Sequence, residues 1–366
     1  MRLERRTHPS PLALVLAPVA AVAFTLLITA ALVLWAGAPV GRTYAAMLGG
    51  GFGSVFAWTE TLTRAVPLVL TGLAAAVAFR SRLFNIGAEG QLYGGAMAAV
   101  VVGGVATGGE LFAPVWVVFV LMFAAAALTG ALLLLGPAWL KARLGVDEVV
   151  TTLLLNFIVL LAVSALLDGP MKDAGALGWP QSLPLASELE LSRLVQGARL
   201  HSGLLFAIVL ALALWLVMAR SLLGFDIRAS GANARAAAFA GVPALRTTLV
   251  VALLSGALAG LAGAIEVAGR TGYVTLDMSP GYGYSGIVIA MLAGLHPLGV
   301  LAAGIFVAGV LVGADTMSRV VGVPTYIADV IVATSLIAVL VATLATQYRL
   351  RWRSANAVPA AASPST

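Results

Sequence analysis

The stretch PVWVVFVLMFAAAALTGALLLLGPAWL, residues 114–140, contains no Asp, Glu, Lys or Arg. At about 1.5 Å of rise per residue, a helix of this length exceeds the roughly 30 Å hydrocarbon core of a bilayer. Lys141 and Arg143 follow it directly, as expected where a span leaves lipid for the basic side of a membrane. The run is too long for a buried strand and too apolar for a surface helix, so it reads as a transmembrane helix.

Working outward, further apolar runs occupy residues 11–38, 65–79, 86–106, 149–167, 203–219, 247–268, 286–295, 297–314 and 327–346. The expected fold is all-α, a polytopic bundle of about ten spans. Residues 1–10 form a cytoplasmic N-terminus, 11–346 the transmembrane domain, and 347–366 a disordered cytoplasmic tail rich in Ala, Pro and Ser. The first run is longer than the 7–15 residues of a signal-peptide core and reads as an uncleaved helix. His296-Pro297 interrupts residues 286–314 and favours two short helices there over one. Composition agrees with the lipid-embedded class. The chain is 61% hydrophobic and 10% charged, against about 25% charged in soluble domains.

Both termini are expected inside. Of the 21 Lys and Arg residues, fourteen then fall on the cytoplasmic side; Arg42, Arg64, Lys172, Arg193, Arg199, Arg270 and Arg319 fall outside. The net charge of +6 is accounted for by this pattern, and with no aromatic-interleaved basic patch a nucleic-acid partner is not expected. The absence of cysteine excludes disulfide and thiolate chemistry.

No phosphate-binding loop is present, since Lys141 and Lys172 follow Leu140 and Met171 rather than Gly. Paired-His metal spacing and a Ser/His/Asp set are also missing, so an enzyme is not expected. Charged residues inside spans are few, Glu89 and Glu266 among them. Ion-coupled carriers generally hold their ion on such residues, so a nearly charge-free interior points to energy entering from a partner.

Three segments carry more. Residues 224–242, GFDIRASGANARAAAFAGV, contain a potential cap at Asn233, a helix-prone alanine run, and Gly241 and Pro243 as terminators. They read either as an amphipathic linker or as a short helix that docks on another protein. Residues 83–91, LFNIGAEGQ, form an irregular turn into a helix with Glu89 in its first turn. Asn85, Glu89 and Gln91 there are either structural or part of a pathway. Residues 279–287, SPGYGYSGI, are too rich in Gly and Pro for a regular helix. Tyr282 and Tyr284 are either interfacial anchors or rings lining a path for a flat base. Glu266 reads as a substrate contact or as a carboxylate reaching the outer interface. Gly90/Gly94, Gly256/Gly260 and Gly309/Gly313 are spaced for close helix crossings.

The pattern of residues 224–242 resembles the ATPase-coupling segment of permeases in the branched-chain amino acid, simple sugar and nucleoside importer family. Residues 83–91 and 281–287 are similar to the larger permease of basic-membrane-protein-dependent nucleoside systems. The resemblance implies a coupling helix bearing Asp226, Arg228, Gly231, Asn233, Ala236, Ala237 and Gly241. It also implies a bacterial cytoplasmic-membrane importer with an ATP-binding cassette subunit, a second related permease and a lipid-anchored external binding protein. ATP-Mg would bind the partner ATPase, with no cofactor on this chain. The 168–202 connection is then a docking surface for the binding protein or a cover over the pathway. Relatives moving a simple sugar or a branched-chain amino acid are the alternative, and an ion-coupled carrier a more distant one.

Overall fold

The computed structural model describes residues 2–5, 11–105, 109–322 and 348–351, with isolated positions 330, 333–334, 337–338 and 341–342. The chain divides into two units, Met1–Val40 with Asp329–Thr366, and Gly41–Ala328. In the first unit, β1 (Arg2–Arg5) pairs antiparallel with β2 (Tyr348–Arg351), Arg2 opposite Arg351, and α1 spans Pro11–Trp35. This short pairing departs from a purely helical expectation and places residues 348–351 of the tail in a strand. The rest of the tail, and most of the span expected at 327–346, lie outside the described residues.

The second unit is helical: α2 (Val40–Phe52), α3 (Val55–Arg80), α4 (Ala88–Gly103), α5 (Val115–Leu144), α6 (Glu148–Asp168), α7 (Gly203–Arg220), α8 (Leu222–Ala232), α9 (Ala234–Phe239), α10 (Ala244–Glu266), α11 (Tyr282–Leu292) and α12 (Pro297–Val321). Six described helices are long and apolar enough to cross a bilayer: α3, α5, α6, α7, α10 with its terminal turn, and α12. A seventh span is counted if the two helices flanking residues 36–39 form one broken span. The described residues thus show six or seven of the roughly ten expected spans, and most of the one expected at 327–346 lies outside them. α4 has 16 residues and α11 has 11, which at about 1.5 Å per residue fall short of roughly 30 Å.

Both short helices begin inside the bundle. After α3 ends at Arg80, residues 81–87 turn back inward, burying Leu83 and Asn85. Irregular backbone at depth needs partners, because neither lipid nor water will satisfy it. α6 supplies them. Asn156 Nδ2 donates to the Ile86 carbonyl at 2.7 Å, Asn156 Oδ1 accepts from Gly90 N at 2.7 Å, and Thr152 Oγ1 accepts from Ile86 N at 3.2 Å.

The centre of the bundle, where α4, α5 and α10 meet, is packed backbone to backbone. A Cβ at Gly256 or Gly260 would land on the carbonyls of Gly130 or Ala126 in α5, and one at Gly95 on that of Gly260. Dispersion contacts between closely approaching backbones hold helices together where lipid offers no hydrophobic drive. Gly309 and Gly313 of α12 serve similarly against Phe52 and Met47 of α2, whereas Gly90 and Gly94 face side chains of α6 and α5.

Candidate translocation site

α3 begins at Val55, ten residues before the expected boundary, capped by Ser54 Oγ accepting from Ala57 N at 3.0 Å. The extra turns carry Glu60 and Arg64, whose charges lower the local hydropathy that set the expected start. At the opposite end from Arg80, a cavity of about 750 Å³ opens between α2, α3 and α12, reaching Tyr282 and Arg270. Arg64, Arg199, Arg270 and Arg319 line it with Glu60 and Asp315. All four arginines belong to the set assigned to outer loops by charge counting.

The floor of this cavity is an ion-pair network. Arg64 of α3 pairs with Asp315 of α12, and Tyr282 lines the same cavity. Arg270 lies on a π-helical turn, Val267–Thr271, that continues α10; such turns re-aim side chains at functional sites. It pairs with Glu266 and donates through Nη2 to the Met278 carbonyl at 2.9 Å. Glu266 is wholly buried, and its Oε2 has no hydrogen-bond partner among the described residues. An uncompensated carboxylate buried in this way would be costly, and Arg270 supplies the compensating charge. Arg199 Nε stands 3.7 Å from Glu60 Oε1.

Of the residues singled out in the sequence for a pathway, Tyr282 lines the cavity, and Glu266 is buried against Arg270, which also lines it. Asn85, Glu89 and Gln91 are buried elsewhere and fully engaged. Asn85 and Gln91 exchange amide hydrogen bonds at 2.9 and 3.0 Å, and Asn85 Nδ2 also donates to Ser255 Oγ of α10 at 3.0 Å. Ser255 Oγ donates in turn to the Ala74 carbonyl of α3 at 2.8 Å. Glu89 Oε2 accepts from Gly283 N at 2.6 Å. The carboxylate thus sits in the first turn of α4 and against the first turn of α11, where two sets of unpaired amides favour negative charge. Tyr284 is partly exposed, its hydroxyl accepting from Asn156 Nδ2 at 3.2 Å.

The 169–202 connection covers one end of the bundle. Leu185, Ala186, Leu189, Leu191 and Leu200 are buried, and its backbone bonds to Gly103, Gly272, Val274 and Ala268. His201 is buried at its base, its Nδ1 accepting from Gly203 N at 3.2 Å. Loss of water and the nearby Arg270 charge push this imidazole down to about 4. The tip of the connection exposes Leu177 and Trp179.

At the basic end, Asn233 breaks α8 from α9. Its Oδ1 accepts from Arg235 N and Ala236 N, both at 3.1 Å. Asp226, Arg228 and Gly231 lie on α8, Ala236 and Ala237 on α9, and Gly241 follows with φ of 86°. α8 is braced on the bundle. Ile227 is buried, and a Cβ at Gly231 would strike the carbonyl of Arg80 at the end of α3. Ala237 faces inward, while Phe239 is 100% exposed. The sequence reading passed over Phe239, although a lone aromatic among alanines was there to be noticed.

The model of the branched-chain amino acid transport system permease component matches residues 57–340. The chain belongs to this permease family. Among its relatives, the guanosine ABC transporter permease protein NupP of Bacillus subtilis is 34% identical over 92% of this chain and 94% of its own length. The nucleoside ABC transporter permease protein NupB of Lactococcus lactis is 30% identical over 87% and 88%. The glucose ABC transporter permease protein of Haloferax volcanii is 38% identical over 81% and 79%. This permease is accordingly the multi-pass membrane component of an ABC transporter.

Proposed function

We propose that this permease moves nucleosides inward across a bacterial cytoplasmic membrane, driven by ATP hydrolysed on a partner subunit. The observation that carries this reading is the near full-length correspondence to the guanosine permease. α9 docks on the ATPase through the exposed Phe239, with Asp226, Arg228, Gly231, Asn233, Ala236, Ala237 and Gly241 shaping and bracing the coupling segment. Because Gly231 rests on the Arg80 carbonyl, motion of α8 passes to α3, whose far end carries Glu60 and Arg64 into the cavity. ATP binding and release would then favour different states of the Arg64–Asp315 contact, which is what alternating access requires. ATP-Mg binds the partner; a second related permease completes the pathway. A lipid-anchored binding protein delivers substrate over the 169–202 cover, whose exposed Leu177 and Trp179 offer it a contact.

A simple sugar is the second reading, favoured by the 38% identity to the glucose permease. Uptake of labelled guanosine, uridine and glucose, in cells with and without this gene and with and without ATP depletion, separates the two. Gene-dependent, ATP-dependent nucleoside uptake is expected. Glucose uptake alone would replace the substrate and keep the mechanism.

A further inference from the structure

The three carboxylates around the cavity are not equivalent. Asp315 is held by Arg64, and Glu266 is walled off and held by Arg270. Glu60 lines the cavity, yet its Oε1 makes no hydrogen bond among the described residues, with Arg199 only at ion-pair distance. About one-fifth of the Glu60 side chain stays open at the cavity wall, beside an arginine too distant for a hydrogen bond, and such an under-compensated carboxylate is a deficit that a ligand can fill. We infer that Glu60, backed by Arg199, binds vicinal hydroxyls of the substrate and makes the permease selective for an intact sugar diol.

The chemistry is specific to that group. A carboxylate accepts from two adjacent hydroxyls at once, while a neighbouring guanidinium donates to their oxygens. A nucleobase offers no such pair of hydroxyls, and a phosphate would meet a like charge at Glu60. The Arg64 and Arg270 pairs close the floor, so the diol would sit at the Glu60 wall with the base toward Phe56, which also lines the cavity. Sites built to hydrogen-bond a hydroxyl reject analogues that lack it. This inference takes its test substrates from the nucleoside reading.

The test compares initial uptake of labelled uridine and 2′,3′-dideoxyuridine by the complete transporter in cells, at low concentration, for the native protein and Glu60→Gln. The native protein is expected to prefer uridine by on the order of tenfold, the worth of a charged hydrogen bond. In Glu60→Gln the preference should collapse to within about twofold, with dideoxyuridine uptake retained. If Glu60→Gln does not reach the membrane, Glu60→Asp replaces it and should reduce the preference in the same direction. A preference unchanged by substitution, or a parallel loss of both substrates, overturns the inference. Native uptake of both nucleosides without preference also overturns it, and leaves the nucleoside reading standing. If neither nucleoside enters but glucose does, the nucleoside reading fails. The same ratio, read between glucose and 2-deoxyglucose, then decides the diol. Uptake of none of them overturns both.

Discussion

The bundle contains two regions packed by opposite rules. Where α4, α5 and α10 cross, glycines bring carbonyls against Cα atoms with no room for a methyl group. Some residues further along α10, at its π-helical turn, the same helix faces a cavity of about 750 Å³ lined by four arginines, two carboxylates and a tyrosine. The first region gains its stability from contact between surfaces of fixed shape. The second holds charges by pairing them, and pairs can be exchanged for others at little structural cost. A transporter needs both: a frame that does not deform, and a chamber whose contacts can be remade.

The frame should be the more fragile to added volume. Gly260→Leu would drive a side chain into the backbone of α5 and should abolish folded protein, measured as monodisperse material after detergent extraction. Gly136→Leu, on α5 with open space around it, should be silent. Equal loss in both would mean that α5 and α10 are not in backbone contact.

The chamber should respond to charge instead. Arg270→Leu leaves Glu266 buried and unpaired and should cost about 3–5 kcal/mol of stability. Adding Glu266→Leu should recover most of that stability without recovering transport. A double variant as unstable as the single would show that Arg270 contributes packing rather than compensation.

The basic end should be independent of both regions. Phe239→Asp is expected to leave the amount in the membrane unchanged and reduce the co-purifying ATPase tenfold or more, since a buried aromatic anchor is worth about 2 kcal/mol or more. Unchanged co-purification would remove α9 from the coupling role.

A pH-dependent effect belongs to the boundary beneath the cover. His201 is buried neutral, with its value lowered to about 4 from 6.5. The unfolded chain therefore takes up the proton first, and stability present above about pH 6.5 is lost as the pH falls toward 4. The loss should be roughly 1–3 kcal/mol, read from thermal unfolding across that range, and His201→Asn should flatten it. A flat native profile would show that water reaches the imidazole.

Local chemistry was the part of this molecule that the sequence made readable. The Asn233 cap, the His296-Pro297 break and the Gly256/Gly260 contact each depend on a few neighbouring residues, and each is seen in the structure. The chamber was not readable in that way. Arg64, Arg199, Arg270 and Arg319 are separated by tens of residues, and counting charges along the chain makes each a loop residue. Only the folding of α3, α10 and α12 around one space brings them together. The short helix α4 was taken for a span because hydropathy cannot tell a helix that crosses lipid from one that starts inside protein. Asn156 carried a signal that went unused: a lone amide in an apolar span needs a partner, and it has three.

The most direct test is nucleoside uptake into proteoliposomes containing this permease and its partners, with ATP on the ATPase side and all ion gradients collapsed. Labelled guanosine accumulating with ATP, and not with a non-hydrolysable analogue, is the predicted result. Accumulation that needs an ion gradient and ignores ATP would contradict the account.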